Sequence, residues 1–84
     1  MNTMHRKTLL ALFSEPVAKN LEWRRIEALL IAAGCQMIEG SGSRVRFAKD
    51  GHTATFHRPH PNKEAKPYQV RDARQYLENL GVRP

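Results

Sequence analysis

Three histidines and a set of basic residues crowd the middle of this sequence, and their types suit proton transfer beside a phosphate. His52, His57 and His60 lie close together, with Arg44, Arg46, Arg58, Lys63 and Lys66 around them. Histidine titrates near neutral pH and can give or take a proton in a transition state. Arginine presents a planar fork that matches a phosphate in bidentate fashion. The charge of the whole chain agrees: fourteen Lys and Arg against eight Asp and Glu give +6. A small basic domain attracts polyanions through phosphate contacts and counterion release. Solubility alone is the competing reading of that charge.

The same histidines raise the question of zinc, since His57 and His60 are separated by two residues and His52 is near. Pro59 and Pro61 make this segment a loop rather than a helix, and Cys35 is the only cysteine. No metal ligand set and no cofactor is therefore expected. Cys35 follows a helix-ending Gly34 and reads as a small buried side chain rather than a nucleophile. It cannot form an internal disulfide, which points to a reducing cytoplasm. No apolar run approaches the roughly 18 residues of a membrane span. The apolar stretch after Met1 to Arg6 is too short for a secretory signal.

The elements that must position these residues are legible from periodicity. His5 to Phe13 reads as a short helix with Leu9, Leu10 and Phe13 along one side, ended by Ser14-Glu15-Pro16. Asn20 is the expected N-cap of a second helix, with Glu22 in its first turn. Trp23, Ile26, Leu30 and Ala33 give that helix a buried stripe, so Trp23 reads as core, and Gly34 stops it. Cys35 to Glu39 is a first strand, ending at Gly40-Ser41-Gly42. Ser43 to Ala48 alternates, with Val45 and Phe47 on one side and Arg44 and Arg46 on the other. Asp50-Gly51 signals a two-residue hairpin into a third strand, His52 to His57. That loop sets Lys49 opposite His52, Phe47 opposite Ala54, Val45 opposite Phe56, Arg46 opposite Thr55 and Arg44 opposite His57. A one-residue slip would set apolar side chains against polar ones. Arg58 to Lys66 is a loop, and Pro67 suits the first turn of a last helix whose apolar face is Val70, Ala73, Leu77 and Leu80. The expectation is an α+β fold in the order α-α-β-β-β-α, a three-stranded antiparallel sheet with its helices packed on one face. Residues 1–19 form an N-terminal helix and linker, and residues 20–84 the main domain.

Several stretches in that order resemble the HicA family, the toxins of HicA–HicB toxin–antitoxin pairs. They are Trp23 to Gly34, Gly42-Ser43-Arg44-Val45-Arg46-Phe47, Pro59-His60-Pro61 with Lys63 and Lys66-Pro67, and Leu77-Glu78-Asn79-Leu80-Gly81. The resemblance implies a fold like the double-stranded RNA-binding domain and cleavage of mRNA without metal. It also implies a HicB-type antitoxin that binds the toxin and blocks its sheet surface. In the family's usual pattern a catalytic histidine directly follows Gly-Ser, and here that position holds Arg44.

Metal-free RNA cleavage uses the neighbouring 2′-hydroxyl as nucleophile, so it needs a general base and a group that stabilises the phosphorane. His57, set across the hairpin from Arg44, is the candidate base, with Arg44 as its electrostatic partner. The alternative is that His57 is an exposed strand residue that contacts RNA without chemistry. Ser43, Arg46, Arg58, His60, Lys63 and Lys66 are the candidate RNA contacts, a pattern that suits shape-directed binding through phosphates and 2′-hydroxyls. His60 could instead be a second acid, or only a loop residue tying the sheet to the last helix. Two functions follow: a ribonuclease toxin silenced by its antitoxin, or an RNA-binding member of the same fold without the chemistry. No helix carries a base-reading set, so DNA is expected to be met only through the antitoxin.

Overall fold

The turn at Asp50-Gly51 decides the geometry of the sheet. Both residues have positive φ, 51° and 81°, as a type I′ two-residue loop requires. β2 (Arg44–Lys49) and β3 (His52–His57) therefore pair antiparallel in the expected register. β1 (Gln36–Glu39) adds antiparallel to the free edge of β2, with Met37 opposite Phe47 and Ile38 opposite Arg46. The strand order is β1-β2-β3. With period-2 alternation, Val45, Phe47 and Phe56 are buried while Arg44, Arg46, Thr55 and His57 are exposed, so one face is core and the other is open.

Three helices complete the computed structural model, which describes all residues from Met1 to Pro84. They are α1 (Thr3–Leu12), α2 (Trp23–Ala32) and α3 (Pro67–Asn79), giving the order α-α-β-β-β-α. From α2 onward this is the α-β-β-β-α succession of a double-stranded-RNA-binding-domain-like fold. The inner face of the sheet, α2 and α3 share one core that includes Trp23, Ile26, Leu30, Val45, Phe47, Phe56, Val70 and Leu77. Trp23 stacks at a tilt on Phe56, with ring centroids 5.0 Å apart, so it is a core residue and not a platform for bases. Both α2 and α3 end in glycine-based caps. Gly34 (φ 98°) and Gly81 (φ 80°) take the left-handed position, and the next residues, Cys35 and Val82, donate back to Leu30 and Leu77. This satisfies carbonyls that the helices leave open. None of the helices is long and apolar enough to cross a membrane.

Local expectations at two of the helices need correction. Asn20 is not the cap of α2: it has φ 62°, and the N-cap is Glu22, without a side-chain cap bond. The reason is tertiary. Leu21 to Trp23 runs extended against the 63–65 segment, where Glu22 bridges Glu64. The Trp23 N–H donates to the Lys63 carbonyl at 2.9 Å, and Ala65 N–H to the Leu21 carbonyl at 2.8 Å. A loop carbonyl thus takes the N–H that an N-cap side chain would have bonded. In α1 the buried side is Thr8, Leu9 and Leu12, while Leu10 faces solvent. That helix begins earlier than expected because the Asn2 side chain caps it, accepting from the His5 N–H at 2.8 Å. α1 packs against α2 and α3, and Leu9 and Leu12 belong to the same core as the sheet.

A candidate nucleic-acid interface on the open face of the sheet

The open face is built from the outward positions of the strands. Arg44 lies opposite His57, and Arg46 lies between Ile38 and Thr55. Directly opposed residues of an antiparallel pair have Cβ atoms about 4.5–5.5 Å apart, so one phosphate could touch both members of either pair. None of the ion pairs in the molecule uses Arg44 or Arg46. Their guanidinium groups are left to solvent, and both residues are exposed. Between them and the end of β1 lies a depression of about 320 Å³, bordered by Ile38, Glu39, Ser41, Arg44, Arg46 and Thr55. Gly40 permits this arrangement. A Cβ there would lie 3.1 Å from the Arg44 carbonyl oxygen and 3.2 Å from its Nε, so a larger residue would require Arg44 to shift by a few tenths of an ångström.

The remaining sequence candidates fall in different settings. Ser43 is exposed in the turn just before β2, and its carbonyl accepts from the Arg58 N–H at 2.9 Å. His60, Lys63 and Lys66 are exposed along the loop before α3. Arg58 differs from all of them, because its guanidinium is occupied within the protein. Nε donates to Glu27 on α2 at 2.6 Å, and Nη1 and Nη2 donate to the two oxygens of Glu39 at 2.8 and 3.0 Å. Glu39 first, then Glu27, holds the Arg58 guanidinium above its ordinary pKa. Arg58 in turn holds the Glu39 carboxyl below the usual range through their hydrogen bonds. Such charge-assisted, bidentate geometry is the strong form of the interaction. Arg58 is thus a tie between β3, β1 and α2 and not a free cation.

His57 is exposed on its side-chain face and tied down through its backbone. Its carbonyl accepts from Gln69 Nε2 at 2.6 Å. The Gln69 Oε1 accepts from the Lys66 N–H at 2.9 Å, and Gln69 is only 2% exposed. This one buried amide joins the end of β3 to the start of α3. Gln69, Glu27 and Glu39 were missed as site residues by sequence reasoning. Gln69 had a signal, since it stands at helical spacing with Ala73 and Tyr76 on the buried face of α3. Arg58 and its two carboxylates are far apart in the chain, and nothing local links them.

No group of three or more His, Cys, Asp or Glu side chains is gathered to hold a metal ion. His52 and His57 lie at opposite ends of β3. Cys35 is buried, its thiol donates to the Tyr76 hydroxyl, and burial is the main cause that raises its pKa. Burial likewise pushes the Tyr76 hydroxyl up to about 12. Both stay protonated at neutral pH, which removes them as nucleophiles.

A family model described as "HicA toxin of bacterial toxin-antitoxin" matches residues 23–82. The chain belongs to the HicA toxin family. The match runs from the first residue of α2 to just beyond α3, so it takes in the whole sheet, the depression and the loop. α1 precedes it. No curated protein and no solved structure matches the chain. Membership makes the protein a toxin of the toxin–antitoxin type, and toxins of this type act with an antitoxin partner.

Proposed function

We propose that this HicA toxin binds mRNA on the open face of the sheet and cleaves it without metal. The observation that carries the reading is the register that sets His57 opposite Arg44 on a face where Arg46 and Thr55 form the next pair. In the step proposed, the His57 imidazole takes the proton of a ribose 2′-hydroxyl. The 2′-oxygen bonds to the adjacent phosphorus, the bond to the 5′-oxygen breaks, and that oxygen leaves with a proton from His60 or water. Arg44 stabilises the charge that builds on the phosphoryl oxygens, an interaction strongest in the transition state. Ser43, Arg46, His60, Lys63 and Lys66 contact the strand on either side, while Arg58 supports the surface from behind. The action belongs to the cytoplasm, where mRNA is found, and a HicB-type antitoxin silences it by covering the same face.

A second reading is favoured by Arg44 itself, which stands where the family's usual pattern has its catalytic histidine. In that reading the chain binds RNA, and its antitoxin, without cutting. Incubation of the purified protein with a long mRNA in EDTA, beside His57→Ala, separates the two. Cleavage by the parent alone supports the nuclease with His57 in its site. Equal cleavage by both proteins removes His57 from the chemistry. Salt-sensitive RNA binding without cleavage favours the second reading.

A further inference from the structure

Two of the arginines around the open face are unpaired, and a third is fully paired with the acid that borders them. Glu39 lies on the rim of the same depression as Arg44 and Arg46, only one residue from the Gly40 over which Arg44 packs. Its two oxygens are both taken by Arg58, at 2.8 and 3.0 Å. The other carboxylate within reach of Arg58, Glu27, is held by Arg58 and by the Trp23 indole N–H. Glu39 stands opposite the buried Val45, so Arg58 holds its carboxylate toward the helix side. Left without Arg58, that charge at the edge of the depression would lower the local positive potential and disfavour an incoming anion. The rim also supplies hydroxyls, from Ser41 and Thr55, which are neutral hydrogen-bond donors for a phosphate oxygen.

We propose that the depression bordered by Ser41, Arg44, Arg46 and Thr55 is a subsite for a single phosphate, kept open to anions because Arg58 holds Glu39. It deepens the RNA-facing reading above, since the phosphate it takes is one of the strand's own. Arg58 acts through Glu39 and is a positioning residue, separate from the phosphate contacts. Its bidentate pairing leaves the rim with two uncompensated cations and no uncompensated anion. An arginine on the helix side of the sheet thereby sets the charge of the opposite face.

The test is a titration of the full chain with inorganic phosphate, followed through backbone amide resonances, at constant ionic strength. Shifts concentrated at Ser41, Arg44, Arg46 and Thr55 are expected, and Arg46→Ala removes them. Shifts elsewhere, or none, would overturn the subsite. Arg58→Gln should weaken phosphate binding by about three- to tenfold, the effect of one uncovered charge near a surface site. Adding Glu39→Gln to Arg58→Gln should restore it. An Arg58→Gln protein that binds as tightly as the parent, or a double variant that stays weak, would sink the role given to Arg58. Glu39→Gln alone guards against an Arg58 variant that fails to fold: it must bind phosphate at least as tightly as the parent, and a loss would place Glu39 among the ligands and overturn the proposal. A short oligoribonucleotide then identifies the source of the phosphate. Displacement of phosphate from the same amides assigns the subsite to the RNA backbone. Failure to displace it would show a site for free phosphate, and would break the link to RNA while the cleavage assay stands independently.

Discussion

The two faces of one hairpin use the same residue types for opposite purposes. On the open face Arg44 and Arg46 have no ionic partner in the protein. On the closed side Arg58, directly after His57, is bound by two carboxylates and lies with its guanidinium partly out of solvent. The difference comes from what each side faces. The inner side meets α2 and its Glu27, which are fixed by the core. The outer side meets water. A guanidinium with partners already in place is structural, and one without them is available to a ligand. Charge counted along the chain cannot tell these apart.

That contrast can be broken from either side. The largest effect belongs to His57→Ala on the open face, where cleavage should fall about 10²–10⁴-fold if proton transfer is lost. Its melting temperature should stay near the parent's, since the imidazole is exposed; a large drop would make His57 structural. Next comes Gln69→Leu, which leaves the His57 carbonyl and the Lys66 N–H without their partner. Unfolding in urea should show a loss of about 1–3 kcal/mol, the cost of stranding buried polar groups. Arg58→Met should cost a comparable or smaller amount, about 1–2 kcal/mol. Removing one partner of a half-buried pair strands Glu27, though remaining solvent access reduces the penalty. By contrast, Arg46→Ala should leave stability unchanged and weaken RNA binding roughly uniformly across sequences, lowering the slope of log K against log salt by about 1.

The smallest effect is one of pH. Arg58 depresses the Glu39 carboxyl, so the folded value lies below the unfolded one, which is near 4.5. A carboxyl depressed on folding contributes stability that is present above its unfolded pKa and lost as pH falls through the folded one. Thermal unfolding followed between neutral pH and about pH 3 should therefore show a decline beginning near pH 4.5 that is shallower in Glu39→Gln. Identical slopes in the two proteins would mean that the pair contributes nothing measurable.

Much of the fold was legible in the residues because its signals are local. Asp50-Gly51 fixes a hairpin loop, and that loop together with strict alternation fixes the register, down to Arg44 opposite His57. Pro67 and the two glycines after α2 and α3 mark helix ends by their backbone preferences alone. The failures were also local signals, overruled by something distant. Asn20 has the side chain of an N-cap, yet the bridge between Glu22 and Glu64 holds this segment extended and supplies a carbonyl in its place. In α1 the stripe was displaced because α2 and α3 decide which side is covered, and Leu12 rather than Leu10 faces them.

The sequence by itself determined the class of the molecule: a small basic α+β domain, its element order, the pairing of its hairpin and the residues on the open face. Each of these depends on intervals of a few residues, over which backbone preference and side-chain period dominate. The tertiary structure alone decided which cations are free. Arg58 meets Glu27 and Glu39 across 31 and 19 residues, and Gln69 reaches His57 across 12. Ion pairs and buried hydrogen bonds of this kind exist only after the core has brought helix and sheet together, and no local periodicity encodes them.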